Sequence, residues 1–127
     1  MGALSNGHGN NLLDASLGTA SFTATTTPLK CRLMTANGSA SANGTEASGG
    51  SYAPITITFA SASGQSAASN VALNFTSMPA ATIVGVELWD SAGTPIRKWW
   101  GALSASKTLN AGDTLSIASG SLTCAFT

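Results

Sequence analysis

The side chains that could carry acid–base chemistry near neutral pH are Asp14, Glu46, Glu87, Asp90, Asp113 and a single histidine, His8. Hydrolysis of a glycoside needs two carboxylates that converge at a fixed separation. Glu87 and Asp90 flank Trp89, but on an extended chain they point to different faces. Glu46 and Glu87 can meet only if the fold happens to bring them together. His8 stands among glycines with no acidic neighbour, which reads as a solvated arm residue rather than a catalyst or ligand. No Gly-x-Ser-x-Gly elbow is present, and the glycine-rich stretches do not lead from a strand into a helix, so neither a hydrolase nucleophile nor a phosphate cradle is supported. Cys31 and Cys124 lack metal-ligand spacing. The expectation is a protein without catalytic residues, metal or cofactor.

Aromatic chemistry offers more. Trp89, Trp99 and Trp100 lie in the densest apolar stretch, residues 83–103. Adjacent residues of a strand face opposite ways, so if one of Trp99 and Trp100 points inward the other points out. An outward tryptophan can stack on a sugar ring, with Arg97 and Lys98 placed for cation–π contacts. It can equally anchor a protein interface, as aromatic residues commonly do, and this second reading is preferred.

These residues need a scaffold. Residues 83–103 read as two strands around an Asp90–Thr94 turn, and so apolar a hairpin requires a larger sheet to cover it. The chain has 127 residues, enough for one domain with a single core. Charged residues make up 8%, against about 25% in an ordinary domain. Net charge is zero, and Lys30, Arg32, Arg97, Lys98 and Lys107 are scattered, which excludes a nucleic-acid surface. A weakly charged surface suits a closely packed, repeated subunit; a Ser/Thr-rich β protein that tolerates low charge is the plainer alternative. The N-terminus lacks a signal-peptide pattern, and no apolar run is long enough to span a membrane.

In chain order, residues 1–9 read as a flexible or partner-ordered arm, and residues 10–18 as a short helix capped by Asn10 or Asn11 and closed by Gly18. Two turns cannot hold alone, so Leu12, Leu13 and Leu17 must dock, either on the end of the sheet or on a neighbouring subunit. Alternation over 29–33 puts Leu29, Cys31 and Leu33 inward and Lys30 and Arg32 outward. Residues 35–51 form a long small-residue loop, which is exposed and suited to a partner or else simply tolerated. Further strands are expected at 52–60, around Val71–Phe75, at Leu115–Ile117 and from Leu122 to Phe126, with turns at 61–69 and 104–107. Cys31 and Cys124 both point to the core, as free thiols in the plainer reading and as a bridge if their strands are neighbours. The whole is all-β: a single-domain β-sandwich or jelly-roll-like barrel over residues 19–127, preceded by an arm and short helix over residues 1–18.

The order of several short segments then resembles a known family. These include Gly44-Thr45-Glu46, Gly49-Gly50-Ser51-Tyr52-Ala53, Val84-Gly85-Val86-Glu87-Leu88-Trp89-Asp90, Trp100-Gly101-Ala102-Leu103 and Lys107-Thr108-Leu109-Asn110-Ala111-Gly112-Asp113. Together they are similar to small virion proteins of tailed bacteriophages, of the tail fibre, minor tail or capsid decoration kind. Pro54 and the Trp99-Trp100 pair depart from that pattern. The resemblance implies a non-enzymatic structural protein, made in the host cytoplasm and carried in the virion as a homotrimer or other symmetric oligomer. Its partners would be the major capsid protein or tail proteins, with no membrane or nucleic acid involved. Decoration of the capsid, clamping the shell through the N-terminal arm, is the first expectation. A tail-tip or fibre subunit is the alternative, and a carbohydrate-binding module a further one. The candidate partner-binding residues are Leu12, Leu13, Leu17, Trp99 and Trp100.

Overall fold

The computed structural model describes residues 2–126. Its largest element is an antiparallel sheet built on the expected hairpin: β7 (Ala81–Trp89) and β8 (Arg97–Leu109). On the other side of β7 lies β2 (Leu29–Ala36), paired from Lys30↔Trp89 to Met34↔Gly85. The remaining edge of β2 is shared by two short strands, β4 (Ile55–Ile57) near its start and β3 (Thr45–Glu46) near its end. At the far edge, β1 (Ala3–Leu4) pairs with Trp99–Trp100 of β8. Beyond Trp100 the outer edge of β8 has no strand partner among the described residues.

Two ribbons face this sheet: β6 (Leu73–Phe75) with β9 (Leu115–Ile117), and β5 (Ser66–Ala68) with β10 (Thr123–Ala125). Buried side chains of the sheet and the ribbons make the layers cohere. Cys31 and Leu33 of β2, with Ile83, Val86 and Leu88 of β7, meet Leu73, Phe75, Leu115 and Ile117 of the β6–β9 ribbon in one buried cluster. Each such side chain contributes about 1.5–3 kcal/mol on full burial. Tyr52 stacks on Phe75 at the margin, with ring centroids 6.1 Å apart. The all-β architecture with a short N-terminal helix is therefore the observed one.

Local differences from the expected layout have physical causes. Helix α1 spans Asn6–Ser16, so it starts four residues before Asn10 and takes in Gly7, His8 and Gly9. Glycine is a poor helix former, but tertiary bonds override the propensity here. The Ser5 amide donates to Lys98 O (3.0 Å) and the Asn6 amide to Ala40 O (2.8 Å), which fixes the first turn on the sheet and on the 37–44 loop. His8 is consequently buried rather than solvated. Gly18 does close the helix, at a φ of +74°. Residues 66–68, expected to be linker, are strand β5, which small residues concealed from a search for apolar alternation. Phe126, expected to end an inward row, is exposed.

The turn expected at 104–107 is a wide bulge inside a continuing strand. The ladder passes from Gly85↔Ala102 to Ile83↔Lys107, leaving residues 103–106 opposite Val84 alone. Gly85 sits at this bulge for a steric reason. A Cβ there would overlap the Asn37 side chain and stand 2.7 Å from Gly101 O. Gly85→Ala is expected to cost about 1–3 kcal/mol through this overpacking, read as a lower urea midpoint.

The core also predicts an alkaline limit. Burial pushes the Cys31 thiol up to about 12 and the half-buried Cys124 thiol up to about 11, both from 9.0. The folded chain then keeps protons that the unfolded chain releases above pH 9, so stability declines as pH rises from there. Urea midpoints should fall between about pH 8 and about pH 10.5, and less steeply in a Cys31→Ala variant.

Candidate interaction surface

The face of the sheet turned away from the core is polar and built around a buried ion pair. The register Glu87↔Arg32 and Trp89↔Arg97 brings acids and bases of three strands onto one surface. Glu87 Oε1 lies 3.1 Å from Arg97 Nη1, with side chains 2% and 5% exposed. The same oxygen accepts the Gly44 amide at 2.7 Å, and Oε2 accepts Trp89 Nε1 at 2.9 Å. Arg97 Nη2 donates to the carbonyls of Ser39 and Ala40, while its own carbonyl accepts Ser5 Oγ at 2.7 Å. The 37–44 part of the supposed exposed loop is therefore pinned onto this face. A second pair stands beside the first. Lys98 Nζ is 3.7 Å from Asp90 Oδ2, and Asp90 Oδ1 accepts the Ile96 and Ala92 amides of the hairpin turn.

None of these carboxylates forms a catalytic couple. Glu87 and Asp90 each face a cation, and Glu46 accepts from Tyr52 Oη (2.7 Å) and Arg32 (3.4 Å). The cation–π contact of the hairpin comes from Arg32, 4.3 Å above the Trp89 ring, rather than from Arg97 or Lys98. The sequence could not show Arg97 and Lys98 as buried charges, because a Trp-rich hairpin with basic residues reads equally well with the bases in solvent.

The tryptophans do divide between faces. Trp99 pairs with Leu88 and packs against the core. Trp100 pairs with Glu87 on the opposite face, and its Nε1 donates to Leu4 O at 3.3 Å. Both are half-buried, so neither stands free in solvent. Trp99 instead forms the shared wall of two clefts. One, of about 260 Å³, runs between Leu29, Phe59, Leu88 and the β5–β10 ribbon to Phe126. The other, of about 600 Å³, reaches under α1 to His8 and Lys98.

The helix leucines behave differently from one another. Leu12 is half-buried, whereas Leu13 is 57% and Leu17 68% exposed. Leu4, Leu12, Leu13 and the 52%-exposed Phe126 line one apolar cleft of about 520 Å³. Among the described residues little covers Leu13 and Leu17, which leaves an apolar strip on the helix joined through Phe126 to the smaller Trp99 cleft.

The buried pair generates a stability prediction. Glu87→Ala strands the Arg97 charge and is expected to lose about 3–5 kcal/mol in urea unfolding. Glu87→Met with Arg97→Met, which leaves no stranded charge, should lose clearly less.

Among curated proteins none matches the chain. A family model described as podophage GP4 fiber I protein gp80 matches residues 3–125, so its span takes in both the polar face with its ion pairs and the exposed helix leucines. The chain belongs to the family of podophage GP4 fiber I protein gp80, a family of phage virion structural proteins.

Proposed function

We propose that the protein is a non-enzymatic subunit of a virion fibre and works as a symmetric homo-oligomer. The observation that carries this reading is the match of residues 3–125 to a fibre protein family. The charge distribution supports self-association. Six of the ten charged side chains are engaged in three ion pairs, Arg32–Glu46, Arg97–Glu87 and Lys98–Asp90. Asp14, Lys30, Lys107 and Asp113 are the remainder, so copies can approach one another with little repulsion. The apolar strip of Leu13, Leu17 and Phe126 gives such an approach something to bury. A homotrimer is the assembly implied by the virion resemblance, with tail proteins as its further partners. Leu12, Leu13 and Leu17 are the proposed contact residues on the helix. Trp99 and Trp100 act from behind, by holding β1 and Phe126 in place.

Decoration of the capsid, the first expectation from sequence, draws on the same low charge and apolar arm. The family description moves the preference to the fibre. Gold-labelled antibody on intact particles separates the two: label on fibres supports the proposal, and label spread evenly over the head replaces it with the decoration reading. In solution, light scattering should report an oligomer for the wild-type chain and a monomer for a Leu13→Asp/Leu17→Asp variant. A monomeric wild type would remove the self-association part.

A further inference from the structure

The larger Trp99 cleft carries chemistry that neither a fibre role nor self-association uses. It lies between α1, residues 25–28, β4 and β8, and its volume of about 600 Å³ falls in the range of small-ligand pockets, roughly 300–1,000 Å³. Its walls combine three kinds of group. Trp99 and Phe59 supply aromatic surface, Thr25 and Thr27 are polar, and the buried residues Lys98 and His8 supply an ammonium and an imidazole. The last two are under-used. The Lys98 ammonium has one counter-charge, Asp90 at 3.7 Å, and makes no hydrogen bond among the described residues. His8 is 8% exposed, and its Nδ1 is buried with no partner among the described residues. Of the two, His8 Nδ1 is the buried polar atom without a partner, and such an atom costs free energy unless something meets it in the working state.

We propose that this cleft binds a monosaccharide-sized carboxylate of the uronic acid type, with its ring against Trp99 and Phe59 and its carboxylate on Lys98. The aromatic walls take the apolar C–H face of a sugar ring. The threonine hydroxyls match its ring hydroxyls. A carboxylate placed beside Lys98 gives the ammonium the short charge-assisted bond that Asp90 at 3.7 Å does not. A neutral sugar would leave that ammonium as it is, and a small carboxylate without a ring would leave the aromatic walls bare. The site therefore calls for both features in one molecule.

Titration calorimetry of the full chain with sodium glucuronate tests this, with glucose and acetate as controls. Saturable binding of glucuronate is expected, with glucose weaker by roughly tenfold or more, the worth of one charge-assisted bond, and acetate weaker because it has no ring to cover Trp99 and Phe59. A Lys98→Met/Asp90→Asn variant removes the cation without stranding its partner, and the Asn Oδ1 can still accept the turn amides. It should lose roughly the same factor while keeping its near-ultraviolet dichroism. A readout that needs no variant is the His8 ring resonance of the wild-type protein, which should shift with glucuronate and not with glucose. A hyaluronan oligosaccharide distinguishes sources: affinity kept or raised assigns the cleft to a uronate within a glycan chain, and affinity lost assigns it to a free sugar acid. Absence of both heat and a His8 shift with glucuronate would overturn the proposal. So would equal binding of glucose, or an unchanged affinity in the folded double variant.

Discussion

The Glu87–Arg97 pair is the interaction on which the arrangement of this molecule depends. Two charges taken out of water cost several kcal/mol each, and their attraction offsets this only when further hydrogen bonds satisfy the remaining lone pairs and protons. Here the further bonds come from separate parts of the chain. Gly44 and Trp89 donate to the carboxylate, and Ser39 and Ala40 accept from one guanidinium nitrogen, while Arg97 Nε has no partner among the described residues; Ser5 bonds separately to the Arg97 main-chain carbonyl. The ion pair thus ties the central hairpin to the 37–44 loop, and backbone bonds of Ser5 and Asn6 add the start of the N-terminal helix to the same place. The loop is therefore ordered by the same bonds that offset the burial of the pair, and the arm follows because its Asn6 amide is bonded to Ala40 of that loop.

That constraint divides the sheet into two faces with different tasks. The core face is held by area: aliphatic and aromatic side chains of β2 and β7 pack against two short ribbons, and the energy is spread over many residues. The opposite face is held by a few specific bonds and is closed by irregular chain rather than by another sheet. The short ribbons do not cover the whole core face either. Around Trp99 the cover is incomplete, which leaves the clefts that run toward Phe126 and under α1.

The same economy explains a surface of unusually low charge. Most of the ionic side chains are committed to internal pairs, so low overall charge becomes still lower where the protein meets its surroundings. Serine, threonine and asparagine keep such a surface wet without adding a field. A subunit packed beside copies of itself gains from this, because nothing long-ranged opposes the approach and short-ranged apolar contacts decide the geometry. The helix leucines and Phe126 are placed where they can make those contacts.

The sequence by itself determined the strands whose residues alternate strongly. Leu29–Leu33, Leu73–Phe75 and Leu115–Ile117 lie where their periodicity puts them, because one face of each is buried and a one-residue slip would invert it. It also determined the split of Trp99 and Trp100 between faces, which follows from the pleat. Only the tertiary structure decided the rest. Strand β5 is made of Ser66–Ala68, whose small residues carry no burial signal, and it exists because β10 offers an edge. The helix includes Gly7 and Gly9 because Ser5 and Asn6 are bonded to the sheet and the loop, against local propensity. Whether Glu87, Asp90, Arg97 and Lys98 are solvated or buried cannot be read from their spacing, since burial of a charge depends on partners distant along the chain. Leu13 and Leu17 show the converse. Their spacing identifies an apolar strip on a helix, and only the assembled fold shows that the strip faces away from its own core.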